Sequence, residues 1–172
     1  MIGTDATGLL SAERFLRFGG LAAGPEFDTV TLWVDSAEIA EGGDSGGSGS
    51  ALIDSLIGIP KEIDTLPGCL RYSIVFRDCV TYAWRDEGFA MSDEDEDEDQ
   101  SSPIRRHDSS AFLDYIARAT DALDALEAPL LHFSVSTLDA VLDVACPAPP
   151  EVSAEMIGPD DPGPKPGSAR RR

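Results

Sequence analysis

His107 and His132 are the chain's only imidazoles, and imidazole is the commonest general base near neutral pH. His132 sits between Leu131 and Phe133 in an alternating stretch, so it is expected on the strand face opposite those two side chains. Asp86 and Asp143 lie in or beside other strand-like stretches. A sheet that sets either one beside His132 makes a His–carboxylate pair, the working minimum of a small hydrolase-like enzyme. The commoner role of a lone strand histidine is structural. His107 follows Arg105-Arg106 and reads as a solvated loop residue. A second group, Trp84-Arg85-Asp86-Glu87, closes another strand-like run. Three charges at a strand end are ordinarily a solvated cluster, but a neighbouring tryptophan can anchor a partner.

Several tempting motifs fail on context. Gly43-Asp44-Ser45-Gly46-Gly47 matches the string around the nucleophile of chymotrypsin-like serine proteases and also fits Gly-x-Ser-x-Gly. No histidine precedes residue 107, and Ser45 lies in a Gly/Ser stretch with no strand leading into it. No Gly-x-x-x-x-Gly-Lys-Ser/Thr or Gly-x-Gly-x-x-Gly string occurs, so no phosphate cradle is expected. Asp93, Asp95 and Asp97 alternate like calcium-loop ligands, but Glu98 stands where the loop needs Gly, and Ile104 where it needs Glu. Cys69, Cys79 and Cys146 form no Cys-x-x-Cys. No metal site, no cofactor and no disulfide framework is therefore expected.

Composition bounds the partners. The chain has 172 residues and a formal charge of −19, from 32 acidic and 13 basic side chains. That field repels nucleic acid and anionic membranes and favours a basic protein partner. No apolar leader segment or membrane-length stretch is visible, so a cytoplasmic protein with reduced thiols is expected. Nothing in the composition sets an oligomeric state.

Three stretches read as unstructured. Residues 42–50 contain only Gly, Ser and one Asp, a flexible loop. Residues 90–107 hold the run Asp-Glu-Asp-Glu-Asp-Glu-Asp at 93–99, an acidic insert kept open by its own repulsion. Residues 152–172 belong to a Pro-rich tail. The expected domain is thus 1–151, with 152–172 trailing from it.

The remaining elements must position the chemistry. The spacing predicts a helix over 9–18 ended by Gly19-Gly20, a strand over 27–35 and a short helix over 50–57. Leu70, Tyr72, Ile74 and Phe76 share one face of a strand, and Val80, Tyr82 and Trp84 share one face of the next. The short gap at Arg77-Asp78 predicts a tight hairpin between them. Phe112, Ile116, Ala119, Leu123 and Leu126 make one stripe on a helix over 110–126, with Asp108, Ser109 or Ser110 as its cap. Leu131, Phe133 and Val135 mark another strand. Residues 138–146 fit either a helix capped at Ser136 or a strand; the strand is preferred.

Leu-Arg-Tyr-Ser-Ile-Val-Phe at 70–76, Arg85-Asp86-Glu87, Ser-Ala-Phe-Leu-Asp-Tyr at 110–115, His-Phe-Ser-Val at 132–135 and Leu142-Asp143-Val144 follow one another in a familiar order. Over residues 70–152 the chain resembles a group of small bacterial α+β proteins of unassigned function. The resemblance implies a strand at 138–145 and no particular activity.

The expected fold is α+β: an antiparallel sheet of four or five strands with one main helix packed on one face. The leading functional expectation is a non-enzymatic, immunity- or adaptor-like module with an acidic surface, binding through Trp84, Arg85, Asp86 and Glu87. The alternatives are a small hydrolase-like enzyme using His132 with Asp86 or Asp143, and a structural protein with a solubilising acidic loop. Convergence of those side chains in one concave pocket separates the second from the others.

Overall fold

The computed structural model describes residues 5–25, 28–39, 63–90, 102–161 and 163. The Gly/Ser stretch at 42–50, the helix expected at 50–57, the acidic run at 93–99 and the Arg-rich end lie outside the described residues.

The fold is mixed α and β, mostly strand. In chain order the elements are α1 (Ala6–Ala12), β1 (Leu16–Ala23), β2 (Val30–Ser36), β3 (Glu38–Ile39), β4 (Ile63–Asp64), β5 (Leu70–Phe76) and β6 (Thr81–Asp86). A 3₁₀ turn (Glu87–Phe89), β7 (Ile104–His107), α2 (Ala111–Ala119), α3 (Ala122–Ala125), β8 (Leu131–Ser136), β9 (Ala140–Cys146) and β10 (Glu151–Met156) follow. The described residues form two four-stranded antiparallel sheets, ordered β1-β2-β5-β10 and β6-β9-β8-β7, and a small β3-β4 pair. The strands expected in one sheet are therefore divided between two.

The division comes from the segment that begins at Arg77-Asp78, the expected hairpin turn. After Phe76 the chain turns at Asp78, whose φ is 51°. The Cys79 N–H then binds Asp28 O at 2.7 Å, and the Val80 N–H binds Ala145 O at 2.9 Å. The chain thus leaves the first sheet and enters the second, so β5 pairs with β2 and β10 while β6 pairs with β9.

The apolar faces of the two sheets meet. Val30, Leu32, Val34, Tyr72, Ile74 and Phe76 of the first sheet share one core with Phe133, Val135, Leu142 and Val144 of the second. Each has its apolar residues at alternate positions, as a half-buried strand requires. Phe76 and Phe133 bridge the layers at 6.1 Å between ring centroids. Leu10 of α1 closes one side of the core, where the Tyr72 hydroxyl donates to Glu13 at 2.6 Å. Burial and that bond raise the Tyr72 pKa.

Several expected elements change. The helix over 9–18 ends at Ala12, and Leu16 onward is strand. Gly19-Gly20 lies at a register shift in β1 and does not end a helix. Pairing along the whole of β2 outweighs the local helical spacing. The tail also contributes a strand: Glu151–Met156 borders β5 as β10, anchored by the Arg77–Glu151 ion pair at 2.8 Å. The tail's prolines stand before this segment, at 147, 149 and 150, and after it, from 159 on, and none falls within it. In the same way Ile104–His107, expected within the acidic insert, is the edge strand β7. Arg71 does lie on the face of β5 away from the core, yet only 6% of it is exposed. Asp35 grips it with two bonds of 2.8 Å and Asp161 with one of 2.7 Å, which satisfies the charge that burial would otherwise penalise.

The helix expected over 110–126 is interrupted at Thr120. Ile116 is fully buried, with Ala122, Leu130 and Ala145 around it and Phe112, Leu113 and Leu126 packed against them. Leu123, on the expected stripe, is 55% exposed. Thr120 turns the chain, its hydroxyl bonding back to Ile116 O at 2.9 Å, so the stripe does not continue. This small cluster covers only part of the outer face of the second sheet. The rest of that face carries His107, His132, Ser134 and Asp143.

Candidate functional site

The outward positions of β7, β8 and β9 fall into rows. His107 pairs with His132 and His132 with Ala145; Arg105 pairs with Ser134 and Ser134 with Asp143. The alternation that sends Phe133 and Val135 into the core therefore sends His132 and Ser134 outward. They are not solvated: His132 and Ser134 are each 5% exposed and Asp143 is 4% exposed. The start of α2 and the 13–16 segment wall them in, around a cleft of about 670 Å³.

His132 is fixed on four sides. Its Nε2 lies 3.0 Å from Asp143 Oδ1, and its Nδ1 lies 2.9 Å from Ser110 Oγ. The His107 ring stacks on it at 4.5 Å, and Phe112 lies tilted against it at 5.0 Å. A carboxylate only accepts, so Nε2 carries the proton and Nδ1 is left to accept the Ser110 hydroxyl proton. Asp143 is doubly held, since its Oδ2 lies 2.7 Å from an Arg85 guanidinium nitrogen. Burial of a lone carboxylate would be costly; the Arg85 partner and the His132 N–H together offset it.

Ser110 is where the strand–turn–helix path places it. β7 ends at His107, two residues follow, and Ser110 is the N-cap of α2, with its Oγ accepting from Leu113 N–H at 3.1 Å. Its backbone is extended, at φ −167° and ψ 161°, without strain. Asp114 N–H is taken by Ser110 O. The amides of Ala111 and Phe112, whose residues line the cleft, have no hydrogen-bond partner among the described residues. They lie in the positive first turn of the helix.

No protein-family model, curated protein or solved structure matches this chain.

The expected residues divide. His132 and Asp143 come together. Asp86 does not join them: it pairs with Ala140 at the far end of β9, and its Oδ1 caps the 3₁₀ turn through Gly88 N–H at 2.9 Å. His107, expected in a solvated loop, lies in β7 and is half-buried, with its Nε2 2.9 Å from Ser134 Oγ. Arg85 and Glu87 line the cleft, whereas Trp84 alternates to the opposite face. Ser110 was legible only as a cap. The signal for more was its place after a short strand and before the best amphipathic stretch, which a cap reading absorbs without remainder.

Among the described residues, no group of three or more His, Cys, Asp and Glu side chains forms a metal site. No helix among them is long and apolar enough to cross a membrane. The three thiols are buried and unpaired; burial pushes the Cys79 thiol up to about 12 and raises Cys146 as well.

Proposed function

We propose that the chain is a small serine-dependent hydrolase acting on an ester or amide by acyl transfer. One observation carries the reading: a continuous relay, Ser110–His132–Asp143–Arg85, runs along the floor of a single open cleft. The resemblance expected for residues 70–152 implies no activity, so the reading stands on these side chains.

The chemistry follows from the donor directions. One lone pair of Ser110 Oγ holds Leu113 N–H, and another attacks the substrate carbonyl carbon. The hydroxyl proton passes to His132 Nδ1, while Nε2–H stays on Asp143, which stabilises the imidazolium. The carbonyl oxygen gains the negative charge and meets the free amides of Ala111 and Phe112. His132 then protonates the leaving oxygen or nitrogen as its bond to carbon breaks, giving an acyl-Ser110 ester. Water repeats the sequence and releases the acid. Relative to the serine proteases the two ring nitrogens exchange roles, serine on Nδ1 and carboxylate on Nε2.

The test is reaction with a fluorophosphonate and turnover of p-nitrophenyl esters. The native protein should label at Ser110 by mass spectrometry and release p-nitrophenol catalytically. Ser110→Asn, which keeps a good cap, should do neither, and its rate should fall by about 10³-fold or more. A native protein that neither labels nor turns over any ester overturns the proposal.

A further inference from the structure

A different face carries an inference independent of the cleft. We propose that the free edge of β6 receives an extended, basic segment of a partner protein as an added strand. Among the described residues β6 is the last strand of its sheet, paired only with β9. Tyr82 and Trp84 are 41% and 51% exposed, and Phe89 just beyond is 84% exposed. Residues 84–89 are all exposed. Three large aromatic side chains laid open along eight residues are unusual on a monomer's surface, and aromatic side chains of this kind anchor interfaces.

The chemistry of the edge selects the occupant. Asp86 and Glu87 stand between Trp84 and Phe89, and neither carboxylate has a cationic partner among the described residues. By contrast Arg17, Arg71, Arg77, Arg85 and Arg106 each hold an acid. Exposed indole and phenol faces beside unpaired carboxylates form a site for guanidinium or ammonium groups, through ring-face attraction and charge together. The chain's charge of −19 draws such a segment in from a distance. The unpaired backbone of an edge strand supplies the remaining hydrogen bonds, as in other cases of strand addition.

The test uses a blocked peptide of about ten residues alternating Arg with Val, long enough to span a strand of this length. It should bind saturably, quench tryptophan fluorescence, and shift the β6 amides in NMR spectra. Binding should weaken about tenfold or more in the double variant Tyr82→Ala/Trp84→Ala. Methylating alternate peptide nitrogens, which leaves the protein untouched, should abolish it. Ser110→Asn should bind as the native protein does, which separates this surface from the cleft. The proposal is overturned if the Glu-Val counterpart binds equally, if N-methylation has no effect, or if the shifts map to β7 or β10. It is also overturned if the protein self-associates through β6 and no peptide competes.

Discussion

His132 and Asp143 meet diagonally across two strands: His132 is in register with Ala145 and Asp143 with Ser134, yet His132 Nε2 and Asp143 Oδ1 are 3.0 Å apart. Diagonal neighbours are within reach when both side chains are long and lean along the strand. The consequence is a buried polar pair on the outward face of a central strand, held from outside by Arg85.

Removing the carboxylate should separate chemistry from folding. Asp143→Asn presents a donor as well as an acceptor, so the His132 tautomer is no longer fixed. Ester hydrolysis should fall by about 10³–10⁴-fold, with a near-native circular dichroism spectrum. Asp143→Ala leaves the His132 N–H with no acceptor in a dry site, and urea titration should show a loss of about 1–3 kcal/mol. Equal hydrolysis by native protein and Asp143→Asn would make the pair structural.

The proposed mechanism gives Ser110 a second role beside its cap, and different substitutions divide the two. Ser110→Ala removes cap and nucleophile; it should cost about 0.5–2 kcal/mol in thermal unfolding and abolish turnover. Ser110→Asn should abolish turnover at nearly native stability. Turnover in Ser110→Asn at the native rate would remove serine from the mechanism.

The stripe on the helical segment makes a sharper point about packing. Ile116 is fully buried and Leu123 is 55% exposed, so Ile116→Ala should cost about 2–5 kcal/mol and Leu123→Ala less than about 1 kcal/mol. Ile74→Ala, fully buried between the sheets, should fall in the larger range. Similar losses at Leu123 and Ile116 would mean the segment stays one helix in solution.

These residues also mark how far the sequence reaches. Alternation places Tyr72, Ile74 and Phe76 on one side of their strand, the core-facing side, because a period of two survives whatever the strand pairs with. It could not say which strands pair. Arg77–Val80 is short enough for a hairpin, and only bonds to Asp28 and Ala145, distant in sequence, carry it into another sheet. Helical spacing failed at Leu16–Phe18 and at Leu123 for a related reason: a local pattern competes with partners it does not contain. Half of the relay was legible, since an acid and an imidazole on outward strand positions announce themselves. Ser110 was not, because a serine before a helix already has a sufficient structural explanation.

The thiols give a check on the sandwich itself. Cys79 lies within the inter-sheet core with Cys146, and burial pushes its pKa up to about 12. At pH 8 the thiolate fraction is negligible, so iodoacetamide should leave both unmodified in the native protein and modify them promptly in urea. The native alkylation rate should then track unfolding. Rapid labelling of either thiol in native buffer would place it outside the core.

Acid should loosen the C-terminal strand first. Glu151 at the start of β10 is held below its usual pKa by hydrogen bonds from Arg77. Asp161, beyond the end of β10, is lowered by its bond to Arg71 and by Gly163 N–H. Both folded values lie below the unfolded ones of about 4. Their contribution is therefore complete above about pH 4, and it disappears as pH falls through the lowered values. Hydrogen exchange of the β10 amides, scaled for intrinsic rates, should accelerate over that acid range before exchange in β8 or β9 does. High salt should narrow the difference for the exposed Arg77–Glu151 pair and leave the more enclosed Arg71–Asp161 bond less affected. Glu151→Gln combined with Asp161→Asn should give fast β10 exchange already at neutral pH. If β10 in that variant exchanges as slowly as in the native protein, its pairing with β5 is sustained by Val152 and Ala154 against the core, without help from these anchors.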